Sequence, residues 1–175
     1  MKLLIFLTLF LTLLSSEDKY SSGLKPTKKG VAPVNNALYI NECGSCHFAY
    51  QPGLLPANAW EKMMGNLENH FDTDASLSQE DFITISNYLK QNSAEKNMDY
   101  KRSSRIVNSL KGRQIPDSIS QTPYMIEKHN EIRPSLITQK EVKGIFNCIA
   151  CHTTADKGIY SERDIRIPNF GRWKD

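Results

Sequence analysis

Apolar positions along the chain change their pattern twice. Leu3 to Leu14 is an apolar run broken only by Thr8 and Thr12, behind Lys2 and ahead of Ser15-Ser16 and the charged Glu17-Asp18-Lys19. A cationic start, about a dozen apolar residues and small residues before a polar segment have the order of a secretory signal peptide, and the run is too short to span a bilayer comfortably. Residues 1–16 are therefore expected to be a signal peptide and the folded remainder exported. Cleavage near Ser15 or Ser16 would place Leu13 or Leu14 where a small residue is preferred, so a retained N-terminal anchor is the competing reading. No cysteine follows the run, which argues against a lipoprotein. Residues 17–36 contain Ser21-Ser22-Gly23, Lys25-Pro26, Lys28-Lys29-Gly30 and Pro33 with little periodicity, and read as a flexible linker.

From Ala37 onward the apolar residues recur at helical spacing and strand signals are sparse, which predicts an all-α fold. Ala37 to Ile40 begins a helix ahead of Cys43. Trp60, Met63, Met64, Leu67, His70 and Phe71 fall at steps of three and four after Pro56, as one face of an amphipathic helix. Ser78-Gln79-Glu80-Asp81 resembles a capping box with Asp in the last place, stapled by Leu77 and Phe82, and Phe82, Ile85 and Leu89 continue as a stripe. Thr122-Pro123 reads as cap and first turn of a helix that projects His129 together with Ile126. Thr138-Gln139-Lys140-Glu141, flanked by Ile137 and Val142, is a full capping box and predicts a helix through Ile145 and Phe146 into Cys148.

Chemistry enters with the cysteines. All four lie in two copies of one motif, Cys43-Gly44-Ser45-Cys46-His47 and Cys148-Ile149-Ala150-Cys151-His152. C-x-x-C-H is the attachment site of a c-type haem: two thiols add to the vinyl groups and the adjacent histidine is placed to ligate iron. A four-cysteine zinc site usually brings its pairs closer and needs no histidine after each pair. A thioredoxin-like redox pair needs a βαβ setting that the helical surroundings do not offer. The two motifs predict two covalently bound haem c groups, held by Cys43 and Cys46 and by Cys148 and Cys151.

Four histidines serve those two irons. His47 and His152 belong to the motifs, so His70 and His129 remain, one further nitrogen ligand per iron, and the count matches two bis-histidine haems. His47 and His70 stand 23 positions apart, as do His129 and His152 in the opposite order. The simplest pairing follows those intervals, although crossed ligation would use the same four residues. Met63, Met64 and Met125 are rival ligands, but their helical spacing points to packing first, and two methionine ligands would leave His70 and His129 without a role.

The net charge of +3 hides an asymmetry. Residues 37–96 carry three lysines against eight acids, a net of −5, and residues 97–175 carry fourteen basic residues against nine acids, a net of +5. The division suggests a first haem domain over 37–96 and a second over 97–175, each collapsing on its haem because either segment alone is short of core. Opposed charges suit a carrier that docks by electrostatics, with Lys101, Arg102, Arg105, Lys111 and Arg113 as a basic cluster, although ordinary solvated faces produce the same asymmetry.

Asn41 to Pro56, with Trp60, His70-Phe71 and Asp74-Ala75-Ser76-Leu77, and then Thr122-Pro123-Tyr124, His129, Cys148 to His152 and Ile165-Arg166-Ile167-Pro168, resemble the small periplasmic dihaem cytochromes c of proteobacteria. The likeness covers roughly Ala37 to Phe170. It implies two helical haem domains, the first like a class I cytochrome c, with bis-histidine irons. It also implies electron donation to an oxygen-binding monohaem cytochrome c, fed by a membrane b-type cytochrome. Nucleic acid and small-molecule substrates have no place in such a protein, and it is expected not to be an enzyme. A dihaem electron-entry subunit of periplasmic nitrate reductase has the same haem chemistry but usually more closely spaced motifs. A dihaem peroxidase would need a longer chain and an iron open to peroxide.

Overall fold

The computed structural model describes residues 26–173. The expected signal peptide and the first part of the linker lie outside that range. Among the described residues the architecture is helical: α1 (Ala37–Cys43), α2 (Ala57–Met64), α3 (Gln79–Gln91), α4 (Lys101–Ser109), α5 (Pro123–His129) and α6 (Pro134–Thr138), joined by short 3-10 turns. A short hairpin pairs β1 (Arg166–Ile167) with β2 (Gly171–Arg172), Arg166 facing Arg172 and Ile167 facing Gly171. No described helix is long and apolar enough to cross a membrane.

Local chemistry accounts for the helix starts. Asn36 caps α1 by accepting the Tyr39 N–H at 2.8 Å, and Thr122 caps α5 by accepting that of Met125 at 3.3 Å, with Pro123 in the first turn. At α3 the Ser78 hydroxyl accepts the Asp81 N–H at 3.1 Å and donates to the Asp81 carboxylate at 2.7 Å. The reciprocal bond therefore closes on the hydroxyl, because the Asp side chain is one methylene shorter than the Glu of the usual box.

One core draws on both halves of the chain. Leu54, Leu55, Ile85, Leu89 and Ile106 are fully enclosed, joined by Val31, Tyr39, Trp60, Tyr124 and Tyr160. α2 packs on α3, so the stripe of Ala59, Trp60 and Met64 faces Ile85 and Leu89. α4 approaches differently: its buried face is Ser103, Ser104, Ile106 and Ser109. These small side chains let the helix close on the enclosed turn Pro52–Leu54, where a Cβ at Gly53 would stand 2.7 Å from the Ser103 hydroxyl.

Three expectations are corrected. The predicted helix from Thr138 to Phe146 does not form. Pro134 starts the helix earlier, Gln139 is extended, and Lys143 and Gly144 take φ of 66° and 144°, which no helix accommodates. The α2 stripe also ends sooner than its spacing implied: the helix stops at Met64 with Gly65 as cap, and His70 lies beyond it in a turn of its own. Finally, residues 28–31, expected within a flexible linker, are strapped to the body. Lys28 N–H donates to the Asp99 carbonyl at 2.9 Å, Lys101 N–H to that of Lys28 at 2.9 Å, and Val31 N–H to that of Gly158 at 2.9 Å. Gly30 and Gly158 meet there at φ of 70° and 72°, and a Cβ on either would strike the facing backbone, so both positions require glycine.

Candidate haem centres

The first motif leaves the end of α1. Cys43 is the last helical residue and is half-buried, Cys46 is exposed, and His47 follows in the turn. Burial, and secondarily Glu42, push the Cys43 thiol up to about 11, unlike the depressed thiols of dithiol redox pairs. His47 donates its Nδ1–H to the Phe48 carbonyl at 2.9 Å, which leaves the Nε2 lone pair free for a metal. The Tyr50 ring covers one side of that imidazole at 4.7 Å between centroids.

His70 comes to the same place by a tight turn. His70 and Thr73 exchange backbone hydrogen bonds at 2.8 and 3.1 Å around Phe71 and Asp72, which take φ of 51° and 65° as in a type I′ turn. Phe71 stands edge-on to the His70 ring at 4.9 Å. The His47 and His70 rings are 6.4 Å apart between centroids and inclined by 36°. Burial, and then His47, lower the His70 pKa, which favours the neutral imidazole.

The second motif opens on the 3-10 turn Cys148–Ala150, followed by Cys151 and His152. His152 N–H donates to the Cys148 carbonyl at 2.8 Å, and Arg166 N–H to that of Cys151 at 2.9 Å, so the hairpin segment braces the motif. Burial pushes the Cys148 thiol up to about 11 and raises that of Cys151. His129 ends α5 and donates Nδ1–H to the Met125 carbonyl one turn back at 2.8 Å. Its ring is 6.1 Å from that of His152, inclined by 82°. Burial, then His129 and Arg102, push the His152 imidazole down to about 4. The His129 pKa falls through burial, with Arg102 and Lys128 adding to it. Ile126, expected beside His129 on an apolar face, is 57% exposed; Tyr124 and Met125 pack inward instead.

The residues fit the group the motifs imply. A metal–imidazole bond is about 2 Å and the ring centre lies about 1 Å behind the nitrogen, so two imidazoles sharing a metal stand about 6 Å apart. Both pairs meet that distance, each histidine beside its spacing partner. The His152 Nδ1 is also buried without a hydrogen-bond partner, a condition native proteins seldom leave unexplained. Met64 lies in the core, and Met63 and Met125 pack against it. Among the described residues no three His, Cys, Asp or Glu side chains gather as a metal cluster of the zinc type.

Contacts between the two centres were not foreseen from sequence. Tyr50 donates its hydroxyl to the Phe146 carbonyl at 2.6 Å, just ahead of Cys148, while Tyr160 packs on the His152 ring at 5.4 Å. The enclosed Gln51 donates to the Ala155 carbonyl at 2.6 Å. Arg102, grouped with the surface cations from sequence, is half-buried and turned inward, donating to the Tyr124 hydroxyl and, at 2.6 Å, to the Tyr160 carbonyl. A lone aromatic or arginine far from a motif carries no local signal of such a role.

The sequence profile of the dihaem cytochrome c family matches residues 39–160. The chain belongs to the dihaem cytochrome c family. It resembles the crystal structure of the dihaem cytochrome type c of Shewanella baltica OS155 at 37% identity, over 79% of this chain and 98% of that one, with a TM-score of 0.66. Two structures of the Rhodobacter sphaeroides dihaem cytochrome c are 34% identical. One covers 74% of this chain and all of its own length with a TM-score of 0.63, the other 73% and 99% with a TM-score of 0.58. No curated protein matches. As a dihaem cytochrome c, the protein carries two haem c groups and transfers electrons to and from redox protein partners.

Proposed function

We propose that this dihaem cytochrome c is a periplasmic carrier that takes electrons from a membrane b-type cytochrome and delivers them to an oxygen-binding monohaem cytochrome c. Cys43 and Cys46 hold one haem and Cys148 and Cys151 the other, within the segments 37–96 and 97–175. His47 with His70, and His129 with His152, would ligate the two irons. The observation that supports the ligand pairing is the spacing of the imidazoles, 6.4 and 6.1 Å between centroids, one pair beside each motif; the partners are proposed from the family resemblance.

Each haem would supply a one-electron couple, and two histidine nitrogens on each iron would leave no position open to a substrate. The protein's own part is to hold the imidazoles in place. His47 and His129 do so through Nδ1–H bonds to backbone carbonyls, and His70 through its turn. Bis-histidine ligation sets both potentials below those of histidine/methionine cytochromes c.

Carbon monoxide tests the ligation. The reduced protein should show low-spin spectra for both haems and bind no carbon monoxide at neutral pH, whereas binding at either haem would refute the axial set. Stopped-flow oxidation by an oxygen-binding monohaem cytochrome c, compared with an unrelated c-type acceptor, tests the partner.

A further inference from the structure

The two centres differ in the charge built around them. In the second, Arg102 reaches in from the first turn of α4 to Tyr124 on α5, the helix that ends in His129, and to Tyr160, whose ring lies against His152. One arm of the guanidinium meets the hydroxyl of Tyr124, which is buried in α5 one and a half turns ahead of His129. The other meets the Tyr160 carbonyl at 2.6 Å, and the Tyr160 ring lies against His152. The Arg102 backbone is itself fixed, its N–H donating to the Gly30 carbonyl at 3.0 Å, so the charge cannot swing away as a unit. Both side-chain bonds end on neutral oxygens, a tyrosine hydroxyl and a backbone carbonyl.

We infer that Arg102 sets the reduction potential of the second haem, raising it by holding a permanent positive charge beside the His129/His152 pair. An oxidised iron carries one more positive charge than a reduced one, so a nearby fixed cation disfavours oxidation. The electron gained or lost is the only change; no bond forms or breaks. Arginine is charged at every working pH, and a charge partly withdrawn from water is screened less than one on the surface.

The inference rests on His129 and His152 as the ligands of the second haem. H129A identifies that haem by the low-spin signal it removes, and if H129A changes neither signal it is the ligand assignment that fails. Spectroelectrochemical titration of the intact two-haem protein then reads each potential. R102Q keeps donors for the two oxygens and removes the charge. It should lower the second potential by the equivalent of roughly tenfold in the redox equilibrium, about 59 mV for one electron, and leave the first within about twofold. R102K keeps the charge and should hold the second potential within about twofold of native. The inference is overturned if R102Q leaves that potential unchanged, if both haems shift alike, or if R102K falls as far as R102Q. Should R102Q not accumulate with two haems, R102K alone decides, because a tenfold fall with the charge retained excludes charge as the cause.

Discussion

Tyr160 donates its hydroxyl to the Oε1 of Gln51 at 2.6 Å, a buried hydrogen bond between residues 109 positions apart. Gln51 lies four residues after His47 and Tyr160 eight after His152, so this bond ties the two motifs directly. Tyr160→Phe would leave Gln51 Oε1 enclosed with no donor, at a cost of about 1–3 kcal/mol. Denaturant unfolding of the two-haem protein should show that loss with both low-spin spectra intact. A variant as stable as native would mean that water satisfies Gln51.

The two histidine pairs should be told apart magnetically. Ring planes inclined by 36° and by 82° impose different orbital splittings on a low-spin ferric iron. Electron paramagnetic resonance should therefore show two distinct low-spin signals. His70→Ala should remove the one from the more nearly parallel pair, and His129→Ala the other, each leaving the haem attached through its thioethers. Met64→Ala should cost about 2–5 kcal/mol as a cavity in the core and change neither signal.

Ser78→Ala tests the start of α3. The hydroxyl both caps the helix and engages the Asp81 carboxylate, so its loss should cost about 1 kcal/mol in thermal unfolding. The cost should leave both haem spectra unchanged.

Exchange with a redox partner should slow as salt is added, because encounter rates lean on steering by charges that ions screen. Arg102 is not a suitable probe, since it points inward. Reversing the exposed Lys101, Lys111 and Arg113, set against the exposed Asp72 and Asp74, should alter the stopped-flow rate unequally and identify the docking half. A rate unmoved by salt or by either set would make docking a matter of apolar contact.

What could be read in advance followed the strength of local signals. α3 and α5 were legible because a polar cap or a proline marks the start of each, and the histidine pairs were legible because their intervals match. α4 was not, because serines make most of its buried face and leave no stripe to read. The box at Thr138 misled because Pro134 starts a helix sooner and Gly144 forbids its continuation. The period through Trp60 and Met64 ran on to His70 although Gly65 had already closed the helix. Arg102, Tyr50 and Tyr160 act across long intervals, where no periodicity connects a residue with its partner.

The strap at Lys28 to Val31 bears on the order in which the molecule assembles. Its anchors are Asp99 to Arg102 and Gly158, so the earliest described part of the chain waits on nearly the latest. Contacts so distant in sequence pay their loop-closure entropy late, after α2, α3 and α4 have made nearer ones. The strap is therefore a closing latch, engaged once the Ala155–Gly158 turn behind the second motif is in place. A chain arrested before the second motif is built would keep the bonds from Lys28 and Gly30 to Asp99, Lys101 and Arg102 but lack that from Val31 to Gly158, leaving the latch half engaged, a difference that a protease cutting after Lys28 or Lys29 would report.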